Sequence, residues 1–301
     1  VDGAHREVSR QLEGLPSPEV LASCACAVLE WGLQLPKPDC DGWDRCAAVY
    51  LTPADGGTRV EIARLITPYR REWTWFYDVT DFLPLLRQGS TCTVHVDSWV
   101  TPGFLVTLDF HFQPGCTTGG KEALRALRVD PLWNGSVTYG NPSEDIGAFF
   151  SPQKLLPPPG ALQARVKMVV TGHGFGQTTE NAAEFMPTAS VLKLAGTSLG
   201  RHVWWCDECY LNPCRPQGGT WKHDRAGWAP GAAVYPWQLD LSPGSEGGPG
   251  FEGQLECEML HYRNSGSDRA HLWVGSSVAW FGAQGTADQV PQVAVGEQVT
   301  Q

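Results

Sequence analysis

Short runs of β-branched and aromatic residues, each closed off by Gly, Pro, Asp or Ser, recur along nearly the whole chain, and this punctuation constrains the fold more than any other feature. Ala47-Ala48-Val49-Tyr50-Leu51 and residues 59–66, 74–79, 91–100 and 104–112 form one series. Residues 124–129, 164–171, 190–194, 202–206, 234–241, 254–262 and 271–281 form a second, each with period-two character. Gly (34) and Pro (23) make up about a fifth of the 301 residues, so turns are dense and long helices have no room. The expected class is all-β, as two antiparallel sandwiches, most simply jelly rolls. One short helix is expected over residues 82–87, capped by Thr80 or Asp81, with Pro84 in its first turn and Gly89 ending it.

Residues 1–30, punctuated by Pro16 and Pro18, read as an irregular or partly helical lead-in. The turn-rich stretch Pro114-Gly115-Cys116-Thr117-Thr118-Gly119-Gly120 marks the best boundary, giving domains over residues 1–116 and 121–301. Pro157-Pro158-Pro159 reads as an extended connector, and residues 242–250 as a surface loop. No basic leader with an apolar core precedes Val1, so a signal peptide has either been removed or never existed.

With 22 Lys and Arg against 32 Asp and Glu, the net charge of −10 argues against a nucleic-acid partner, which needs a basic footprint. The most apolar stretch, residues 92–112, is interrupted by Asp97 and Asp109, so no bilayer span is expected. Ten cysteines, an even number scattered along the chain, favour disulfides and an extracytoplasmic, secreted protein. The competing reading is a zinc site built from Cys206, Cys209 and Cys214 with His202 or His223.

Three segments carry candidate chemistry. In Cys40-Asp41-Gly42-Trp43-Asp44-Arg45, Asp44 lies between an indole and a guanidinium, an arrangement that lowers a carboxylate pKa and offers a sugar-stacking face. Alternatively it is a turn Asp with a surface ion pair. Gly172-His173-Gly174-Phe175-Gly176 leads to Asn181-Ala182-Ala183-Glu184-Phe185, where burial would raise the pKa of Glu184 and suit it to proton donation, unless the glycines only shape a corner. The turn-rich stretch 212–231 reads as a binding loop in which Arg225 and Trp228 offer a hydrogen-bonding fork and a stacking plane, or in which the tryptophans plug a sandwich. The histidines show no metal-binding spacing, and neither a nucleophile elbow nor a phosphate loop occurs. No metal or cofactor is expected, and acid/base hydrolysis by carboxylates remains.

These segments resemble, in the same order, motifs of the bacterial peptide:N-glycosidase F amidases. Residues 40–45 look like that family's Cys-Asp-Glu-Trp-Asp-Arg, and Arg64-Leu65-Ile66-Thr67-Pro68-Tyr69 like its Arg-Phe-Ile-Thr-Pro-Tyr. Asp78-Val79-Thr80-Asp81-Phe82 and Asp224-Arg225-Ala226-Gly227-Trp228 are identical to family motifs. Asp97-Ser98-Trp99 stands for Glu-Thr-Trp, and Ala183-Glu184-Phe185 for Ala-Glu-Trp. The resemblance implies two side-by-side eight-stranded jelly rolls with the active site at their interface. It also implies metal-free hydrolysis of the amide joining the innermost N-acetylglucosamine of an N-linked glycan to asparagine, leaving aspartate. By the matching motifs Asp44, Glu184 and Asp97 are the catalytic carboxylates, and Trp43, Arg45, Trp99, His173, Arg225 and Trp228 bind substrate. The partners implied are N-linked glycoproteins or glycopeptides, met by a monomer.

The chain also departs from the family pattern. Asp97 is one methylene shorter than the family Glu, a change in reach of more than about 1 Å. His173 stands for a Trp, and Phe175 for a His. Leu35 and Ala229 replace cysteines of the family framework, so Cys40 needs a new partner, Cys46 or Cys24. Two other readings stay open: a jelly-roll lectin that has lost turnover, and a glycoside hydrolase using Asp44 and Glu184.

Overall fold

The structure, a computed structural model, describes residues 1–36, 40–114, 124–174, 183–242, 251, 253–264 and 270–283. The boundary expected at residues 114–120 falls almost wholly outside them, as do Phe175, Gly176, Asn181 and Ala182 and most of the loop expected at 242–250. The first half supplies β1 (Glu7–Gln11), β2 (Cys24–Gln34), β3 (Cys46–Thr52), β4 (Val60–Ile66), β5 (Trp73–Asp78), β6 (Thr91–Val96) and β7 (Leu105–Pro114). The second supplies β8 (Leu124–Pro131), β9 (Gly135–Thr138), β10 (Gln153–Lys154), β11 (Gln163–His173), β12 (Thr188–Leu194), β13 (Thr197–Trp204), β14 (Ala233–Val234), β15 (Trp237–Leu241), β16 (Gln254–Met259) and β17 (His271–Ala283).

Among the described residues every strand pairing is antiparallel. One sandwich stacks the sheet β1-β6-β3-β4-β14 on β5-β2-β7, and the other stacks β10-β16-β12-β13 on β15-β11-β17-β8, with β9 extending the pairing of β17. This is the paired jelly-roll architecture expected from the resemblance. Alternation does the work. In β2, Ala27, Leu29, Trp31 and Leu33 all point into the first core, while Val28 and Glu30 between them are only half-buried. Met168 and Val170 of β11 meet Val274, Val278 and Trp280 of β17 in the second core. Trp31 and Trp280 are fully buried, each contributing one of the largest apolar surfaces of its sandwich.

The lead-in differs from expectation. Residues 1–30 hold β1 and most of β2, with a helical turn at Pro18–Ser23 capped by the Ser17 side chain. β1 is an exposed edge whose sequence, Glu-Val-Ser-Arg-Gln, has only one apolar residue to advertise a buried face. The expected short helix is present over Leu83–Arg87, preceded by a 3-10 turn at Thr80–Phe82. Neither expected cap closes it: Thr80 Oγ1 accepts from the Ala27 amide, and Asp81 pairs with Lys167 at 2.7 Å.

The two sandwiches are bolted together by polar groups. Arg64, fully buried on β4, makes a two-pronged pair with Glu61 and donates to Thr171 Oγ1 (3.0 Å) and the Trp273 carbonyl (2.6 Å) of the second half. β14 leaves the second half to pair with β4, aligning Ala233 with Leu65 and Val234 with Arg64. Ile66, Val169, Trp228 and Val234 form a small third core at this junction.

The described cysteines form no disulfide with one another, contrary to the expectation from their number. Cys24 donates to the Val20 carbonyl and Cys214 to the Gly231 carbonyl. Cys206 and Cys209 approach only to a hydrogen bond of 3.4 Å between sulfurs, well beyond the roughly 2.05 Å of an S–S bond. The zinc alternative also fails to assemble: His202 is sandwiched with Trp204 and Trp237, and no group of three His, Cys, Asp or Glu among the described residues is placed to hold a metal ion. Among the described residues no helix is long and apolar enough to cross a membrane.

Candidate active site

The site is organised around Arg225. Its main chain is pinned by a two-way bridge to Cys206, with the Cys206 amide donating to Arg225 O at 2.8 Å and the Arg225 amide to Cys206 O at 3.1 Å. Its guanidinium, fully buried, lies over the faces of Trp228 (4.8 Å) and Phe185 (5.2 Å). It donates to the Thr220 and His223 carbonyls and to Thr220 Oγ1. On its remaining side Nε donates to Glu184 Oε1 at 3.2 Å, and Nη2 lies 3.7 Å from Asp44 Oδ2. A carboxylate from each half of the chain therefore meets one cation.

Asp44 precedes β3. Its Oδ2 accepts a 2.6 Å hydrogen bond from the Tyr69 hydroxyl, which also lies 3.1 Å from Thr220 Oγ1. Gly219, in the left-handed region at φ +65°, lets the chain pass against the Tyr69 ring: a β-carbon there would sit 2.7 Å from it. Burial raises the pKa of Asp44, opposed by the Tyr69 hydrogen bond and Arg225. This corrects the expectation of a lowered pKa from Arg45. The Arg45 Nε instead donates at 2.7 Å to Asp41, a fully buried carboxylate that also accepts from Ser98 Oγ.

Glu184 has its amide bonded to the Gly174 carbonyl and its carbonyl to the Ala226 amide. Burial lifts its pKa from 4.5 to about 7, against the pull of Arg225 and with a further push from Asp44. Burial likewise raises Tyr69 to about 12, aided by the carboxylate it bonds, so the phenol remains a donor.

The other expected residues divide by depth. Trp43 and Trp99 are each 62% exposed, and the Trp99 ring is covered by the Arg45 guanidinium at 4.2 Å. Asp97 is half-exposed and paired with Arg6 at 2.9 Å; it lines a hollow with Cys46, His95 and Trp273 rather than joining Arg225. His173 and Trp228 are buried and stacked at 5.2 Å, and Trp228 Nε1 donates to the Gly172 carbonyl, so the two support Arg225 from behind. Burial pushes His173 well below its usual range, keeping it neutral beside Cys46 and Thr171. The amide of Asn134, in the sequon Asn134-Gly135-Ser136, is bonded in both directions to Ser276. Tyr69 and Thr220 carry no role in the sequence reading, although Tyr69 ends the quoted Thr-Pro-Tyr motif.

The family described as "Peptide-N-glycosidase F, C terminal" matches residues 149–278. The peptide-N(4)-(N-acetyl-beta-D-glucosaminyl)asparagine amidase F of Elizabethkingia miricola is 27% identical over 259 residues, covering 81% of this chain and 70% of that protein. The chain is therefore similar to the peptide-N-glycosidase F family, in sequence over residues 149–278 and in fold along most of its length. Solved structures agree at the level of fold. PNGase F, a glycosylasparaginase from Flavobacterium meningosepticum, superposes with a TM-score of 0.80 at 23% identity, covering 94% of this chain and 91% of that one. PNGF-II gives a TM-score of 0.65 at 15% identity, covering 93% of this chain and 61% of its own.

Proposed function

We propose that the chain hydrolyses the amide between the innermost N-acetylglucosamine of an N-linked glycan and its asparagine, on glycoproteins or glycopeptides. The observation that carries this reading is the convergence of Asp44 and Glu184 on the buried Arg225. Amide hydrolysis without a Ser or Cys nucleophile needs a base to activate water and an acid to protonate the departing nitrogen. Asp44 takes the proton of the attacking water as its oxygen bonds the asparagine Cγ. Glu184, protonated up to about pH 7, gives a proton to the amide nitrogen as the C–N bond breaks. The products are a glycosylamine and aspartate. Arg225 keeps both groups in register and attracts the ionised form of each, while Trp43 and Trp99 supply exposed faces on which a sugar can stack.

Mass spectrometry of a defined N-glycopeptide in oxygen-18 water tests the reading. Wild type should release the glycan and place one labelled oxygen in a new aspartate, and Asp44→Asn should do neither. A second reading, a glycan-binding protein without turnover, is favoured by the engagement of Asp97 with Arg6. It predicts that the glycopeptide is bound but recovered intact. Trimmed sugar on a surviving asparagine would instead assign the carboxylates to a glycosidase.

A further inference from the structure

Cys206 and Cys209 are not consumed by the chemistry proposed for the cleft. They form a Cys-x-x-Cys pair in which Cys209, fully buried at the start of the 3-10 turn Cys209–Leu211, donates its thiol proton toward Cys206 Sγ at 3.4 Å. Cys206 is only half-buried. Cys206 is therefore the more exposed of the two, and closing the pair needs the sulfurs to approach by little more than about 1 Å. The Cys209 hydrogen bond, with one from the Glu208 amide, draws the Cys206 thiol down to about 7 against its burial and the nearby Asp207 and Asp224, while Cys209 is pushed up. A thiolate at neutral pH is the form that attacks disulfides.

We propose that Cys206 and Cys209 are a redox-active dithiol that exchanges with small aliphatic disulfides, Cys206 attacking and Cys209 resolving. The Cys206 thiolate bonds one sulfur of the disulfide and expels the other half as a thiolate. Cys209 then loses its proton to solvent, and its sulfur displaces the second thiolate from Cys206. Two protein thiols become one disulfide, and one small disulfide becomes two thiols, so the two electrons balance. The couple lies one backbone bridge from Arg225. The proposal stands apart from any activity of the cleft.

Cystamine is the probe, applied to the native chain with acid quenching and peptide mapping. Wild type should pass through a transient Cys206 mixed disulfide to a Cys206–Cys209 linkage that dithiothreitol reverses without denaturant. Cys209→Ser should stop at the mixed disulfide, formed at least tenfold faster at Cys206 than at Cys24, and Cys206→Ser should form no adduct at position 209. If a serine variant does not fold, the wild-type time course alone decides. A linkage already present and resistant to dithiothreitol until denaturation, or labelling of Cys206 no faster than of Cys24, overturns the proposal.

Discussion

Replacing Glu184 with Gln should change how stability depends on pH in a direction that Arg225 alone would not suggest. The folded chain holds the Glu184 proton up to about pH 7, whereas the unfolded chain releases it near 4.5. Wherever the native state binds more protons, stability falls as pH rises, so the group's contribution is fully present below pH 4.5 and is lost between there and about pH 7. At 1.36 kcal/mol per pH unit the loss is about 3 kcal/mol. Gln keeps an oxygen for the Arg225 Nε but does not titrate. Urea denaturation of wild type and Glu184→Gln at matched pH from 4 to 8 isolates the term, because most other carboxylates cancel in the difference. The variant should gain about 3 kcal/mol on wild type across that range, with unchanged m-values. A difference that stays flat, or a wild type that gains on the variant as pH rises, would mean that Arg225 outweighs burial and that Glu184 is no proton donor at neutral pH. The same titration should appear as a falling limb near pH 7 in kcat/KM for glycopeptide.

Three further outcomes follow from the packing. Tyr69→Phe removes the donor to Asp44 Oδ2, which should cost about 1 to 3 kcal/mol in chemical denaturation and move the acid limb of kcat/KM to higher pH, because the ionised carboxylate loses a hydrogen bond. Trp99→Ala, at an exposed ring, should cost less than about 1 kcal/mol of stability yet raise KM for glycopeptide by about fivefold with kcat little changed. Gly275→Ala places a β-carbon on Glu61 Oε2 and against the Arg64 guanidinium, so calorimetry should show a loss of about 3 kcal/mol or more as that buried pair is forced apart.

Strands were legible where alternation was long and apolar. β3, β4, β7, β11 and β17 fall within a residue or two of the runs read from the sequence. β1 was not, because an exposed edge asks nothing apolar of its sequence, and β9 and β10 are too short to show a period. Within the site, Asp44, Glu184 and Arg225 were identifiable by motif, but their partnership was not. Arg45 turns to Asp41, and the cation beside Asp44 comes from the far half of the chain. Burial, the dominant influence on both carboxylates, is a property of that assembly and leaves no local mark. The cysteine count misled for the same reason: an even number says nothing about which strands bring sulfurs together.

The two-residue strand β14 makes the halves unequal in independence. The first sandwich ends its larger sheet on a strand that the ribosome supplies only at residues 233–234, and Trp75 donates its indole proton to the carbonyl of Gly231 just before it. A fragment cut anywhere between residues 114 and 230 would leave the β4 edge uncapped beside a buried indole with no acceptor, a surface open to pairing between copies. During synthesis the β4 edge has no β14 to pair with until residues 233–234 have emerged, so the cleft is completed late. Recombinant yield should depend more on protecting that waiting edge than on the stability of the finished molecule.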